Sequence, residues 1–443
     1  MSENILGREN VTALFFKYAI PSIMGMVFLG VNTVVDGFFV GQYIGLNALA
    51  SVNIAMPFFS LMIAIGVVVG IGMQSLVGRL LGAGEKSKAD DAFKTALYLI
   101  SGISFLLALF STIFTKEIAV FLGANEQLID LVMIYLKYEG IFLPLLGIMF
   151  VLDYVLKIMG KPIYSMQILI VAVISHMILN YCLIVQGDLG VKGAAIATGI
   201  SYSIAFIMAV LPFITGQTTL KLLQGNFDKR FAYQIICNGT SEGITEICTG
   251  VTTFLFNITL MRYVGEVGVA AFTAIGYFSF VGNNILLGIA DGVGSIISYN
   301  YGKGSMARVK KTLKLAAMAA LFIGLGLFAV IFNFARNIIL LFLDGANELV
   351  IQFAVQGAEV YAFAFLINGL NVIVSGYFTA ICYPKNAAFI ALSKGLVWVG
   401  IGIVILPKLL GIQGIWLTVP IAELITFILS LLLIRSHFRQ VFQ

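Results

Sequence analysis

Charge is scarce in this chain. Only 11% of its 443 residues are Asp, Glu, Lys or Arg, against roughly 25% in ordinary soluble domains, so a water-facing globular surface is excluded as the main architecture. Cysteine is nearly absent: Cys182, Cys237, Cys248 and Cys382 are the whole set. They lack the paired spacing of a metal site or redox dithiol and fall in or beside apolar runs, where packing is the expected role. Histidine occurs twice. With neither an HExxH nor a repeated Asp-rich motif, the sequence holds no recognisable intramembrane catalytic set, and we expect no enzyme and no cofactor. The N-terminal MSENILGREN has no basic region or small-residue cleavage site, so no removable signal peptide is expected. GAGEKSK (82–88) and GKGSMARVK (302–310) lack the G-K-[ST] ending of a phosphate loop, which argues against nucleotide binding.

What is abundant is apolar. Hydrophobic residues make up 60% of the chain and mean hydropathy is +1.03. Runs of about 20 apolar residues recur between short Gly, Pro, Lys and Asn clusters, the pattern of transmembrane helices. About twelve are predicted, near 14–40, 51–78, 95–114, 127–156, 163–185, 191–215, 235–261, 268–298, 312–334, 349–380, 386–407 and 413–434. This is an all-α membrane protein in a cell (plasma) membrane. Placing both termini in the cytoplasm puts about nineteen basic residues, Lys157 among them, on that side and leaves Lys116, Lys192, Arg262, Arg336 and Lys408 outside, as the positive-inside rule requires. The net charge of +5 is then explained by anionic lipid, with no nucleic-acid partner.

The chain repeats itself. A shift of 220 lays QYIG (42–45) on RYVG (262–265), Gly72 on Gly292, Ser75 on Ser295 and LGAG (81–84) on YGKG (301–304). Shifts of 221–222 match FLGANE (121–126) with FLDGANE (342–348), Pro162 with Pro384, and LGVKG (189–193) with LGIQG (410–414). Two pseudo-symmetric six-helix bundles follow, an N-terminal lobe over 1–215 and a C-terminal lobe over 231–443, joined by a polar cytoplasmic linker over 216–230. Six spans per half make the repeats parallel, so a transport site is expected between rocking lobes.

Asp36, in GVNTVVDGFFVG (30–41), sits inside a span. A charge at bilayer depth costs about 2.5–3.5 kcal/mol even on lenient scales, so the acid points to function. Asn32 shares its helix face. Such a site suits a proton, because burial favours the neutral carboxyl, or a hard cation caged by neutral oxygens. His176, four residues before Asn180, is a possible proton relay. The seventh span lines up Glu242, Glu246, Thr249, Thr253 and Asn257 on one face, the eighth Asn284, Gly288, Asp291, Ser295 and Ser298, and the tenth Asn368, Asn371, Ser375 and Thr379. Glu246 and Glu242, with Asp291, Asn257, Asn284 and Asn368, are candidate substrate ligands, although neutral stripes also serve as interhelical glue. Lys137 and Glu359, at matching positions of the two halves, could pair across the lobes to close a gate, but snorkelling to the interface is the favoured expectation for them and for Asp153, Glu139, Lys394 and Glu423.

These residues resemble the multidrug and toxin extrusion (MATE) family over about residues 10–435. The likeness rests on Pro21, VDGFFVG with Asp36 and Gly41, QSLVGRLLGAG (74–84), the second-half YGKG, and GVKGAAIAT (190–198). It implies twelve helices in two lobes that export amphipathic, cationic, drug-like compounds in exchange for protons or sodium by alternating access. The NorM branch would carry an acid at Gly250 and another in the tenth span, where this chain has Asn368 and Asn371. The DinF-like branch would use Asp36 with Asn180, and a second acid where this chain has Ile184. The chain is identified as DinF-like or MepA-like, a monomer whose coupling centres on Asp36, Asn32, Asn180 and His176, with sodium possible at Asp36. A flippase or exporter of lipid-linked or metabolite substrates is the alternative in the same superfamily; the acids at 36, 242, 246 and 291 disfavour anionic cargo.

Overall fold

In hydrocarbon every backbone N–H and C=O must find a partner inside its own segment, which leaves helices as the solution for apolar runs of this length. The computed structural model, which describes residues 4–340 and 347–442, is helical throughout its spans. We number these α1 (Val11–Ile44), α2 (Leu46–Gly82), α3 (Lys86–Ile113), α4 (Ile129–Gly140 with Leu143–Ile158), α5 (Pro162–Gln186), α6 (Gly190–Ile214), α7 (Lys229–Tyr263), α8 (Glu266–Gly302), α9 (Met306–Leu340), α10 (Glu348–Ala362 with Phe365–Ala380), α11 (Pro384–Leu410) and α12 (Ile412–Gln440). α4 and α10 are broken and bend by 49° and 47°, and α9 is kinked at Phe334, where φ is −121° and ψ 20°. All twelve expected spans are present.

The repeat marks turns and helix starts. Gly45 and Gly265, closing the α1–α2 and α7–α8 connections, have φ of 119° and 81°; Gly84 and Gly304 have 79° and 75°, a region that favours glycine. Pro162 and Pro384 occupy the first turns of α5 and α11, where a missing N–H costs nothing. The α4 and α10 bends also fall at matching positions, although only α4 has a proline beside its break. Residues 342–346 of the FLDGANE match lie outside the described residues.

Each lobe has its own apolar core. One is built from α2, α3, α4 and α6 around Met62, Phe93, Leu136 and Leu152, the other from α8 to α12 around Leu286, Phe365, Phe378 and Trp416. The linker is ordered against the first lobe: Lys94 Nζ donates to Leu222 O (2.8 Å), Asn226 N to Asp91 Oδ1 (2.7 Å) and Asp228 N to Thr95 Oγ1 (3.0 Å). Asp228 caps α7 through Arg230 N (2.7 Å). Hydrogen bonds from the Arg230 backbone and side chain hold the Asp228 carboxyl below its usual range.

The lobes touch tightly over the half of their length nearer the linker, as far as Gly288 of α8, where a Cβ would lie 2.6 Å from Ile23 Cα of α1. A Cβ at Gly82 would overlap the Tyr299 carbonyl, and one at Gly302 the Arg79 carbonyl, the same contact exchanged by the pseudo-twofold. Gly72 meets the Ile235 carbonyl, Gly239 the Val68 carbonyl, and Gly78 the Ser298 side chain. Gln74 Nε2 donates to Ser295 Oγ across the interface (2.8 Å). A short helix, Ile5–Arg8, adds a clasp: Asn4 Nδ2 donates to Ile158 O (3.0 Å), while Asn300 Nδ2 and Arg308 Nη2 donate to Leu6 O (2.9 Å each). Toward the other end the helices part. A Cβ at Gly30 would lie 3.5 Å from Phe280, and at Gly37, Gly250 and Gly276 nothing lies within 4 Å. The lobes form a V, closed where the linker lies.

This packing predicts that Gly82→Val or Gly302→Val wedges the closed end apart, since overpacking typically costs about 1–3 kcal/mol. In a background without native cysteines, Ser75→Cys will become more reactive to a polar maleimide in either variant. Gly102→Val, whose Cβ meets open space, will leave reactivity unchanged.

Candidate functional site

Asn32 and Asp36 lie one turn apart on α1, His176 and Asn180 one turn apart on α5, and Thr198 faces them from α6. The structure brings the four residues expected for cation coupling into one cluster around the imidazole. His176 Nδ1 lies 2.9 Å from Asn32 Oδ1, and Nε2 lies 3.1 Å from Thr198 Oγ1, 3.2 Å from Asn180 Nδ2 and 3.5 Å from Asp36 Oδ1. His176 is 1% exposed, Asn180 0% and Asp36 5%. Helices α1 and α5 both pass into a π-helical turn just beyond these residues, Val40–Ile44 and Tyr181–Gln186, a distortion common beside functional sites.

With the Asn32 carbonyl facing Nδ1, the tautomer protonated there would leave the Nε2 lone pair facing Asp36 Oδ1. Asp36 Oδ1 has no hydrogen-bond partner, nor has Asn180 Oδ1. Buried acceptors left unpaired are costly. A proton on Asp36 or His176, or a small hard cation between the two orphaned oxygens, would convert lone-pair repulsion into attraction.

Thr198 is a member that sequence reasoning passed over; it lies within GVKGAAIAT but on no ionisable motif. Glu139 was missed as well. Expected at the interface, it is 4% exposed, is hydrogen-bonded with Tyr135, and interacts with Asp36. Ile184, where the DinF-like pattern has an acid, is buried.

The other candidates divide into three groups. Glu242, half-buried on α7, interacts with Glu246, Asp291 and Lys394, and Glu246 one turn on is exposed. Asp291 is paired across the lobes with Lys157, Nζ to Oδ2 2.9 Å, and Lys157 is also 3.0 Å from Asp153 Oδ2. Asn368 belongs to a second-lobe network: it donates to Asn283 and accepts from Lys394 Nζ (3.1 Å), Lys394 lies 3.8 Å from Glu423 Oε1, and Asn371 Nδ2 donates to Glu423 Oε2 (2.7 Å). Asn257 and Asn284 stand apart from these groups. Asn257 Oδ1 is buried without a partner, and Asn284 Nδ2 donates to Phe280 O of its own helix (2.9 Å). Thr249 and Thr253 likewise bond backwards into α7, so this stripe is not interhelical glue.

Several expectations are corrected here. Asp153, Glu139, Lys394 and Glu423 do not snorkel: Asp153 and Glu139 find partners on α4 itself, Lys157 and Tyr135, while Lys394 of α11 and Glu423 of α12 face each other. Lys157, counted with the cytoplasmic surface charges, is 6% exposed. The available signal was an i,i+4 pair, Asp153 and Lys157, on one face of an apolar helix. Lys137 is exposed, and no ion pair joins it to Glu359 among the described residues. Only Cys248 of the four cysteines is buried, and Cys182 is exposed.

Comparison with known proteins identifies the family. Multidrug export protein MepA of Staphylococcus saprophyticus is 25% identical over 432 residues, 96% of this chain and 94% of the relative. MepA of Staphylococcus aureus strain MRSA252 is 24% identical over 431 residues, with the same coverage of 96% and 94%. Two solved structures superpose with a TM-score of 0.92, covering 100% of this chain and 99% of theirs. One is an outward-facing multidrug resistance MATE transporter of the MOP superfamily, 20% identical, and the other a MOP superfamily transporter from Pyrococcus furiosus, described as having a binding pocket of reversed polarity, 21% identical. The MatE family model matches residues 21–182 and again 243–404, once per lobe and with the same shift of 222 at both ends. The chain belongs to the MatE family of multidrug export transporters.

Proposed function

We propose that this protein is a secondary antiporter that exports amphipathic organic cations and admits a proton or sodium ion, which binds at Asp36. The observation that carries the reading is the Asp36–His176–Asn180 cluster with its two orphaned buried oxygens. An ion that binds there from the open side relieves the unpaired carboxyl and stabilises the V closed at the linker end. The positive-inside distribution makes that end cytoplasmic, so the described state faces outward. Release of the ion to the cytoplasm then accompanies reopening toward the linker side, where new substrate enters. A membrane potential of about 150 mV would contribute roughly 3.5 kcal/mol per charge, enough for several-hundred-fold accumulation. Glu242 and Glu246 make the path between the lobes acidic, which suits cationic cargo over the phosphates of a lipid-linked sugar.

Ethidium efflux in inverted vesicles, with sodium and the pH gradient varied independently, tests the reading. Efflux will follow one of the two gradients without ATP. Asp36→Asn will lower gradient-driven efflux by about tenfold or more, the scale of one charge-assisted interaction, while ethidium still binds. Undiminished efflux by this variant contradicts the assignment. Asn180→Ala and Thr198→Ala will each raise the ion concentration needed for half-maximal efflux and leave the maximal rate closer to wild type, since they remove neutral oxygen donors and keep the carboxylate.

A further inference from the structure

We infer that Asp291, with Glu242 beside it, is the site at which the cationic substrate docks when the lobes open toward the linker side, and that the Lys157 ammonium is its built-in competitor. The inference rests on the antiport reading above and adds the first contact of the cargo.

The geometry assigns the parts. Lys157 belongs to α4 and is held there by Asp153 on its own helix (3.0 Å) and by the Tyr154 ring, 4.7 Å from Nζ. Ser165 donates to the other oxygen of Asp153. Lys157 and Asp153 therefore stay together as a neutral pair on the first lobe. Asp291 belongs to α8, on the second lobe, and reaches Lys157 only across the interface (2.9 Å). Its other oxygen, Oδ1, is buried and has no hydrogen-bond partner. Glu242 of α7 interacts with Asp291, and the cation that partly offsets Glu242 is Lys394 of α11.

When the lobes part at this end, the Lys157–Asp291 contact must break. The first lobe loses no charge balance, whereas the second lobe is left with two carboxylates opening on the vestibule. A buried carboxylate stripped of its partner demands a replacement cation. The Lys157 ammonium marks where that positive charge goes in the closed state. Its return on closure competes for Asp291 and sends the cargo toward Glu246, one turn along α7 and away from the linker end. A primary ammonium on a tether is displaced by an organic cation through charge alone, so the site selects charge and tolerates varied scaffolds.

Ethidium binding to the full-length protein in detergent, followed by fluorescence, tests the inference. Asp291→Asn will weaken ethidium binding about tenfold, and Lys157→Met will tighten it by a similar factor while slowing efflux; these are the shifts expected of one charged contact. The double variant will bind as weakly as Asp291→Asn. A mere latch between the lobes predicts instead that both single variants shift affinity in the same direction, and that result overturns the proposal. Unchanged affinity in both overturns it too. Asp291→Glu and Lys157→Arg keep the charges and will stay near wild type, which separates lost charge from a lost fold. Ion-driven efflux by the wild type is read separately, so failure of the antiport reading shows there and failure of the docking site shows only in the variants.

Discussion

Two helix backbones can approach within carbonyl contact only where no Cβ stands between them, and this chain meets that condition over the half of the lobe interface nearer the linker. Gly72, Gly78, Gly82 and Gly302 line the seam. In lipid, where hydrophobic burial does not draw helices together, close backbone packing and interhelical hydrogen bonds supply the association. Because the seam ends midway, the remaining length of α1, α2, α7 and α8 is free to diverge. A pair of lobes joined at one end by small residues has an evident alternative, joined at the other, and alternating access requires two such states. The Lys157–Asp291 pair adds charge to the same seam, and the Ile5–Arg8 clasp covers it.

The ionisable groups are arranged unequally between the lobes. The first lobe holds Asp36 against a histidine and amides, with oxygens unpaired; the second holds Glu423 against Lys394 and Asn371, its charge already answered. Buried charge without a partner is unstable, and buried charge with one is inert until the partner leaves. On this account the first lobe senses the ion and the second follows through the shared seam.

Much of the fold was legible in the sequence because bilayer thickness imposes a length on apolar runs and turns impose glycine. The spans and the repeat trace to those two constraints, whereas the bends in α4 and α10 fall inside what the sequence reads as single runs. The coupling cluster was legible in part: Asp36 and Asn32, His176 and Asn180 each share a face of one helix, and an acid at membrane depth announces itself. Thr198 was not, since a hydroxyl in a helix can always bond its own backbone, as it does here to Ala194 O. Lys157, Glu139, Lys394 and Glu423 were misplaced for a different reason. Position along a span gives depth but not which neighbour lies beside a residue, and whether a charge snorkels or pairs is decided by that neighbour. Lys394 and Glu423 find theirs on other helices, and Lys157 finds a second one on the other lobe.

The central claim is that occupancy at Asp36 governs which end of the lobe pair is closed. Spin labels at Ser87 and Ala307, exposed positions related by the repeat and flanking the linker end, report this directly by pulsed dipolar spectroscopy. With the coupling ion the distance will be short and narrow; ethidium at low ion concentration will shift it longer, and restoring the ion will reverse the shift in wild type but not in Asp36→Asn. A distance distribution that ignores both ion and ethidium, or one that responds equally without the carboxylate, would contradict the account.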